Sequence, residues 1–226
     1  MLLPLLLAAA AAIPACPRSF ETVDRIVSGV SVGSAVYGDF NEDGRTDVAY
    51  TTGDDTFVLA GRGNGVFEPI SRTDVTRLMR APVASSVVAA TDTNNDRHLD
   101  LVYVRAGIVW TAFGRGDATF ETPRETRLAL SSDGWLQLDF DHDGLLDFVD
   151  MNGAAGEVTF IRSAGDGRFV EAGRYKTSPI LQSFAIGDFD GDGAVDIADM
   201  RFESDVVRLV VAWNDGAYHF TTTSFP

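Results

Sequence analysis

The stretch GDFDGDGAVDIAD, residues 187 to 199, crowds Asp188, Asp190, Asp192 and Asp196 into nine positions. Carboxylates this close repel one another unless protons, hydrogen bonds or a cation intervene. Side-chain oxygens at alternate positions, a glycine at the sharp sixth position and a further carboxylate at the ninth suit a loop that wraps a hard cation. Calcium takes about six to eight such oxygen ligands.

The motif is not isolated. DFNEDGRTD begins at Asp39, DTNNDRHLD at Asp92, DFDHDGLLD at Asp139 and DFDGDGAVD at Asp188, starts that lie 47 to 53 residues apart. A second motif keeps step with it: GRGNGVFE, GRGDATFE, SAGDGRFV and NDGAYHFT, with Phe67, Phe120, Phe169 and Phe220 in corresponding places. Self-similarity at a fixed period marks a repeat architecture of four units. Between the motifs, stretches such as VAYTT, LDLVYV, TFVLA and LVVAW alternate with period two and are bounded by Gly, Asp and Asn. These are short strands, four to a unit. The expected fold is therefore all-β, a β-propeller of four blades with four antiparallel strands each, either closed into a ring or left as an arc. Approximate blades are 29–75, 82–128, 129–177 and 178–226 within a single domain over 17–226. An extra strand over 19–27 is expected because SFETV from Ser19 matches TFET from Thr119.

The pairing of D-x-[DN]-x-D-G-x-x-D, followed by Val48, Leu101, Phe148 or Ile197, with a later glycine-rich turn and phenylalanine resembles FG-GAP/VCBS repeats. Integrin α-subunit propellers are built from such blades, and the resemblance covers roughly residues 19 to 226. The family's propellers commonly have more blades than the four visible here. The resemblance implies structural calcium, up to four ions, held by positions one, three, five and nine. In this chain those are Asp39, Asn41, Asp43 and Asp47, then Asp92, Asn94, Asp96 and Asp100. In the last two units they are Asp139, Asp141, Asp143 and Asp147, then Asp188, Asp190, Asp192 and Asp196. The Asp92 loop is expected to bind most weakly, because Asn94 replaces a carboxylate and Arg97 replaces the turn glycine. An EF-hand or dockerin reading draws on Asp150 and Asp199 at position twelve, but both need a helix after the loop, and strand-like alternation follows instead.

Composition narrows the partners. Thirty-three acidic against eighteen basic residues give a net charge of −15, which argues against nucleic acid. Residues 1–16 read as a signal peptide or lipoprotein signal: MLLPLLLAAAAAIPA is apolar, shorter than a membrane span and ends in small residues. No Lys or Arg precedes Arg18, so the usual positive start of a signal is missing. Cys16, the sole cysteine, excludes an internal disulfide. With Ile13, Pro14 and Ala15 it resembles a bacterial lipoprotein cleavage site, so secretion and a lipid anchor through Cys16 both stand.

The expected function is a secreted or surface-anchored calcium-binding module for adhesion or for a protein or glycan ligand, with homo-oligomerisation open. Its alternatives are a structural repeat unit of a larger assembly and an accessory propeller of a hydrolase or lyase. Catalysis itself is not expected. His98 and His142 lie inside the acidic loops, His219 stands beside Phe220, and Asp54 and Asp55 read as a turn. Trp110, Trp135 and Trp213 read as blade packing rather than a sugar platform. Arg115-Gly116-Asp117 spells an integrin-recognised tripeptide, but it falls where Arg62-Gly63-Asn64 falls in the first unit, so the repeat accounts for it.

Overall fold

The computed structural model describes residues 34–52, 55–63, 65–74, 86–105, 107–130, 135–177, 184–203 and 206–225. The expected leader over 1–16, Cys16, the strand over 19–27, Asp54 and Asn64 lie outside the described residues. No α-helix occurs among the described residues, and none is long and apolar enough to cross a membrane.

Four antiparallel sheets follow one another along the chain, each with its strands paired in sequence order. The first holds β1 (Ser34–Gly38), β2 (Asp47–Thr52), β3 (Asp55–Gly61) and β4 (Phe67–Asp74). The second holds β5 (Ser86–Thr91), β6 (Asp100–Arg105), β7 (Ile108–Ala112) and β8 (Arg124–Arg127). The third holds β9 (Trp135–Leu138), β10 (Asp147–Asn152), β11 (Glu157–Ser163) and β12 (Phe169–Lys176). The fourth holds β13 (Phe184–Gly187), β14 (Asp196–Glu203), β15 (Val206–Asn214) and β16 (Phe220–Phe225). These are the blades that the sequence predicts. Each second strand begins at the ninth loop residue, which excludes the EF-hand reading because a strand stands where a helix is needed.

The central strands of the second and third sheets are buried on both faces, since each of these sheets is packed between two neighbours. In β11, Val158 and Phe160 point to one side while Thr159 and Ile161 point to the other, and all four are buried. Three apolar clusters join successive sheets. Phe40, Ala49 and Val58 of the first unit meet Leu101, Tyr103 and Trp110 of the second. Val102, Val104 and Val109 of the second meet Phe148, Ile161 and Phe169 of the third. Phe140, Val158 and Phe160 of the third meet Val195, Ile197 and Ala212 of the fourth. Trp110 is buried in the first of these clusters, and Trp135 packs edge-on to Phe148 at 6.0 Å. Trp213 is half-buried, its Nε1–H donating to Thr223 Oγ1 at 3.0 Å. Among the described residues no cluster joins the fourth sheet to the first.

Polar contacts cross the same junctions. Thr56 and Tyr103 share a buried hydrogen bond of 3.0 Å, and Arg201 donates to Tyr175 Oη at 2.6 Å while pairing with buried Asp199. Phe160 is the aromatic centre of the last junction, with its ring 5.5 Å from Phe140, 5.4 Å from Tyr218 and 5.9 Å from Phe220. Replacing it should leave a cavity between two sheets that cannot both collapse. Phe160→Ala is expected to cost about 3 to 5 kcal/mol in chemical denaturation, and a loss under about 1 kcal/mol would show that the junction is not packed.

Candidate functional site

The four acidic loops share one internal hydrogen-bond scheme, built from their own aspartate and asparagine side chains. The first residue accepts from the N–H of the sixth: Gly44 to Asp39 at 2.8 Å, Arg97 to Asp92 at 2.8 Å, Gly144 to Asp139 at 3.0 Å and Gly193 to Asp188 at 3.1 Å. The third accepts from the N–H of the fifth through Asn41, Asn94, Asp141 and Asp190, at 3.0 to 3.3 Å. The fifth accepts from the N–H of the seventh through Asp43, Asp96, Asp143 and Asp192, at 2.7 to 3.0 Å. Side chains that bond their own backbone two residues on stabilise turns without any regular ladder.

The ninth aspartates are fully buried and do something different. One oxygen accepts from the N–H of the second loop residue, and the other from an N–H at or just past the end of the third strand. Asp47 takes Phe40 at 3.0 Å and Gly61 at 2.9 Å; Asp100 takes Thr93 at 2.9 Å and Gly114 at 2.9 Å. Asp147 takes Phe140 at 3.2 Å and Ser163 at 2.8 Å; Asp196 takes Phe189 at 3.0 Å and Asn214 at 2.9 Å. Thr93, which stands where the other loops have phenylalanine, adds its hydroxyl as a further donor to Asp100.

The backbone of each loop enters the left-handed region twice. The sixth position does so at Gly44, Arg97, Gly144 and Gly193, with φ between 75° and 90°. The fourth does so at Glu42, Asn95, His142 and Gly191, with φ between 57° and 83°. Sequence reasoning found the sixth position through its glycines and missed the fourth, where only Asn95 and Gly191 hint at it. Arg97 does adopt the strained conformation expected of it.

The carboxylates converge unequally. Asp139, Asp141 and Asp147 bring oxygens within 4.8 Å of one another, as do Asp188, Asp190 and Asp196. Asp143 and Asp192 stand outside these groups. Among the described residues the first two loops form no such three-acid group, which follows from Asn41 and Asn94 at the third position. Burial pushes Asp147 up to about 6, against its two backbone hydrogen bonds, with Asp141 and Asp143 adding like charge. Burial also raises Asp100. Asp139 Oδ1 is a buried acceptor without a hydrogen-bond partner. An oxygen-only cluster with strained charge and an orphaned buried lone pair fits a hard cation.

Neighbouring loops also touch. His98 Nδ1 of the second loop pairs with Glu42 of the first, a hydrogen bond that raises the imidazole above its ordinary range. His219 pairs with Asp215 at 3.0 Å, Asp55 with Arg72 at 2.6 Å, and Asp117 accepts from both N–H and hydroxyl of Thr119 within its own turn.

Two substitutions separate the roles in these loops. Arg97→Gly should remove left-handed strain and stabilise the chain by about 1 kcal/mol in denaturant unfolding. No gain would mean that the arginine costs nothing there. Asp47→Asn turns an amide donor toward one of two backbone N–H groups, and should cost about 1 to 3 kcal/mol even in chelator. An unchanged midpoint would show that the ninth carboxylate does not clamp the loop.

The FG-GAP-like repeat family matches residues 39–103 and 139–198, more than half of the chain. None of the curated proteins matches it. Among solved structures, the chain is similar to an Agrocybe aegerita lectin described for specific recognition of non-reducing terminal N-acetylglucosamine. That match has a TM-score of 0.57 and 19% identity, covering 83% of this chain and 50% of the lectin. It also resembles the Photorhabdus luminescens Tc holotoxin pore at a TM-score of 0.44 and 17% identity, covering 91% of this chain and 10% of that one. The chain thus spans half or less of the length of these neighbours. The four in-register loops, the four sheets they open and the two matched stretches make this chain a member of the FG-GAP-like repeat family.

Proposed function

We propose that this protein is a secreted or surface-anchored calcium-binding repeat protein whose loops present a binding face to a protein or glycan. The observation that carries the calcium is the convergence of Asp139, Asp141 and Asp147, where Asp139 Oδ1 is buried and unpartnered, and the like convergence of Asp188, Asp190 and Asp196. In each loop the first, third, fifth and ninth residues would supply oxygens to the ion. The ion would contribute charge neutralisation and rigidity, not chemistry. Four ions would offset eight of the fifteen net negative charges. The reading is non-enzymatic.

Ligand binding is supported by two open pockets beside the loops. One, of about 270 Å³, lies between the third and fourth units and is lined by Asp141, Asp192, Asn214 and Tyr218. The other, of about 310 Å³, lies between the second and third and is lined by Asn94, Asp96, Glu121, Arg124 and Asp166. Arg124 stacks over Phe113 at 4.6 Å and donates to the Asp166 carbonyl, so a guanidinium and several carboxylates face one cleft. Such a lining suits a hydroxyl-rich or charged ligand better than an apolar one. The glycan-recognising lectin of similar fold favours sugars as the first class to try.

Calorimetric titration of the chain lacking residues 1–16 should count three or four calcium ions, with the Asp92 loop filling last. Chelation should lower the midpoint of thermal unfolding by about 10 °C or more. No binding and no shift would sink the calcium reading, and filling of the Asp92 loop first would sink its ranking. Glycan and protein arrays run with calcium and with chelator then test the binding face, since a genuine ligand must be lost when the loops lose their ions.

A further inference from the structure

We propose that the free face of the fourth sheet is a docking surface for the first sheet of a second copy of this chain. The same junction recurs between the sheets, so its missing halves can be read residue by residue. Cross-strand register places Met151, Val158 and Tyr175 in one row across the third sheet, and Met200, Leu209 and Phe225 in the corresponding row across the fourth. The fourth sheet covers the first of these rows, and Val158 is 0% exposed. Among the described residues no cluster covers the second, and Leu209 is 44% exposed with Met200 and Phe225 alike. The second loop residue repeats the contrast: Phe40 and Phe140 are buried, while Phe189 is 45% exposed. A contiguous apolar face of this kind marks an interaction surface.

The complementary half is on the first sheet. At the second junction Phe113, just past the end of the third strand, meets Gly167, the left-handed residue of the next glycine-rich turn. At the second junction a Cβ on Gly167 would lie 2.3 Å from the Phe113 ring, so a large side chain is matched by glycine. The fourth sheet offers the equally large Trp213 at that place. The first sheet offers Gly65, at φ 80°, where a Cβ would meet nothing within 4 Å. Tyr37, opposite Val48 on the same face of the first sheet, is a large aromatic 79% exposed; at the corresponding place Ala90 and Ile186 pack into junction cores and the third sheet carries the exposed polar Gln137. Within one chain these two halves stay apart, as their exposures show. Between two chains they would repeat a junction that the molecule already makes three times. A head-to-tail contact of this kind closes a ring when its rotation permits and otherwise extends as a filament.

The full chain in excess calcium, run by sedimentation velocity at low micromolar concentration, should give a dimer or larger assembly. Leu209→Asp and Tyr37→Asp each alter a side chain exposed in the single copy, so both should fold with an unchanged thermal midpoint. Each should run as a monomer, a weakening of about tenfold or more. Mixing the two variants should restore association, because each keeps the half that the other lacks. A monomeric parent chain would overturn the proposal, and so would an assembly that survives either substitution.

Discussion

The constraint on which the rest depends is the buried carboxylate at the ninth loop position. A buried carboxylate without a cationic side chain beside it is costly unless hydrogen bonds to backbone N–H groups offset its desolvation. Here each of the four accepts two such bonds, from opposite directions. The first ties the loop's entrance to the start of the second strand, and the second ties that point to the end of the third. Loop, hairpin and glycine-rich turn are thereby held as one body. The remaining aspartates are set by turns that need no tertiary support. At Asp147 burial, with like charge from Asp141 and Asp143, outweighs the two hydrogen bonds and raises the carboxyl to about 6.

Much of this was legible in the chain because the repeat reports the same physics four times. Period, strand count and the glycine at the turn were all visible in Asp39, Asp139 and Asp188 and their followers. What stayed hidden has a common cause. The partners of the ninth carboxylate are backbone N–H groups of Gly61, Gly114, Ser163 and Asn214, which lie 14 to 18 residues downstream. A backbone donor leaves no side-chain signature. The left-handed fourth position was equally opaque, because Glu42 holds it without being a residue that favours it. The convergence of three acids in the third and fourth loops could be guessed from composition, but the separation of Asp143 and Asp192 from them could not.

Packing between sheets follows a rule that local pattern cannot display. The row Thr51, Thr56 and Thr73 becomes Val104, Val109 and Thr126, then Met151, Val158 and Tyr175, then Met200, Leu209 and Phe225. The side chains grow along the chain, and all of these strands read alike in sequence. Only the fold distinguishes a row that a neighbour covers from one that it does not.

One small contact ties these levels together. The N–H of Ala118 donates to the Phe40 carbonyl at 2.8 Å, and that of Gly167 to the Thr93 carbonyl at 3.1 Å, so a turn in one unit caps an acidic loop in the unit before it. Any influence that orders a capped loop must therefore favour the seating of the following sheet, and the seating of that sheet must favour the ordered loop by the same free energy. The array behaves as a chain of coupled neighbours, in which order spreads from unit to unit instead of being set four times over.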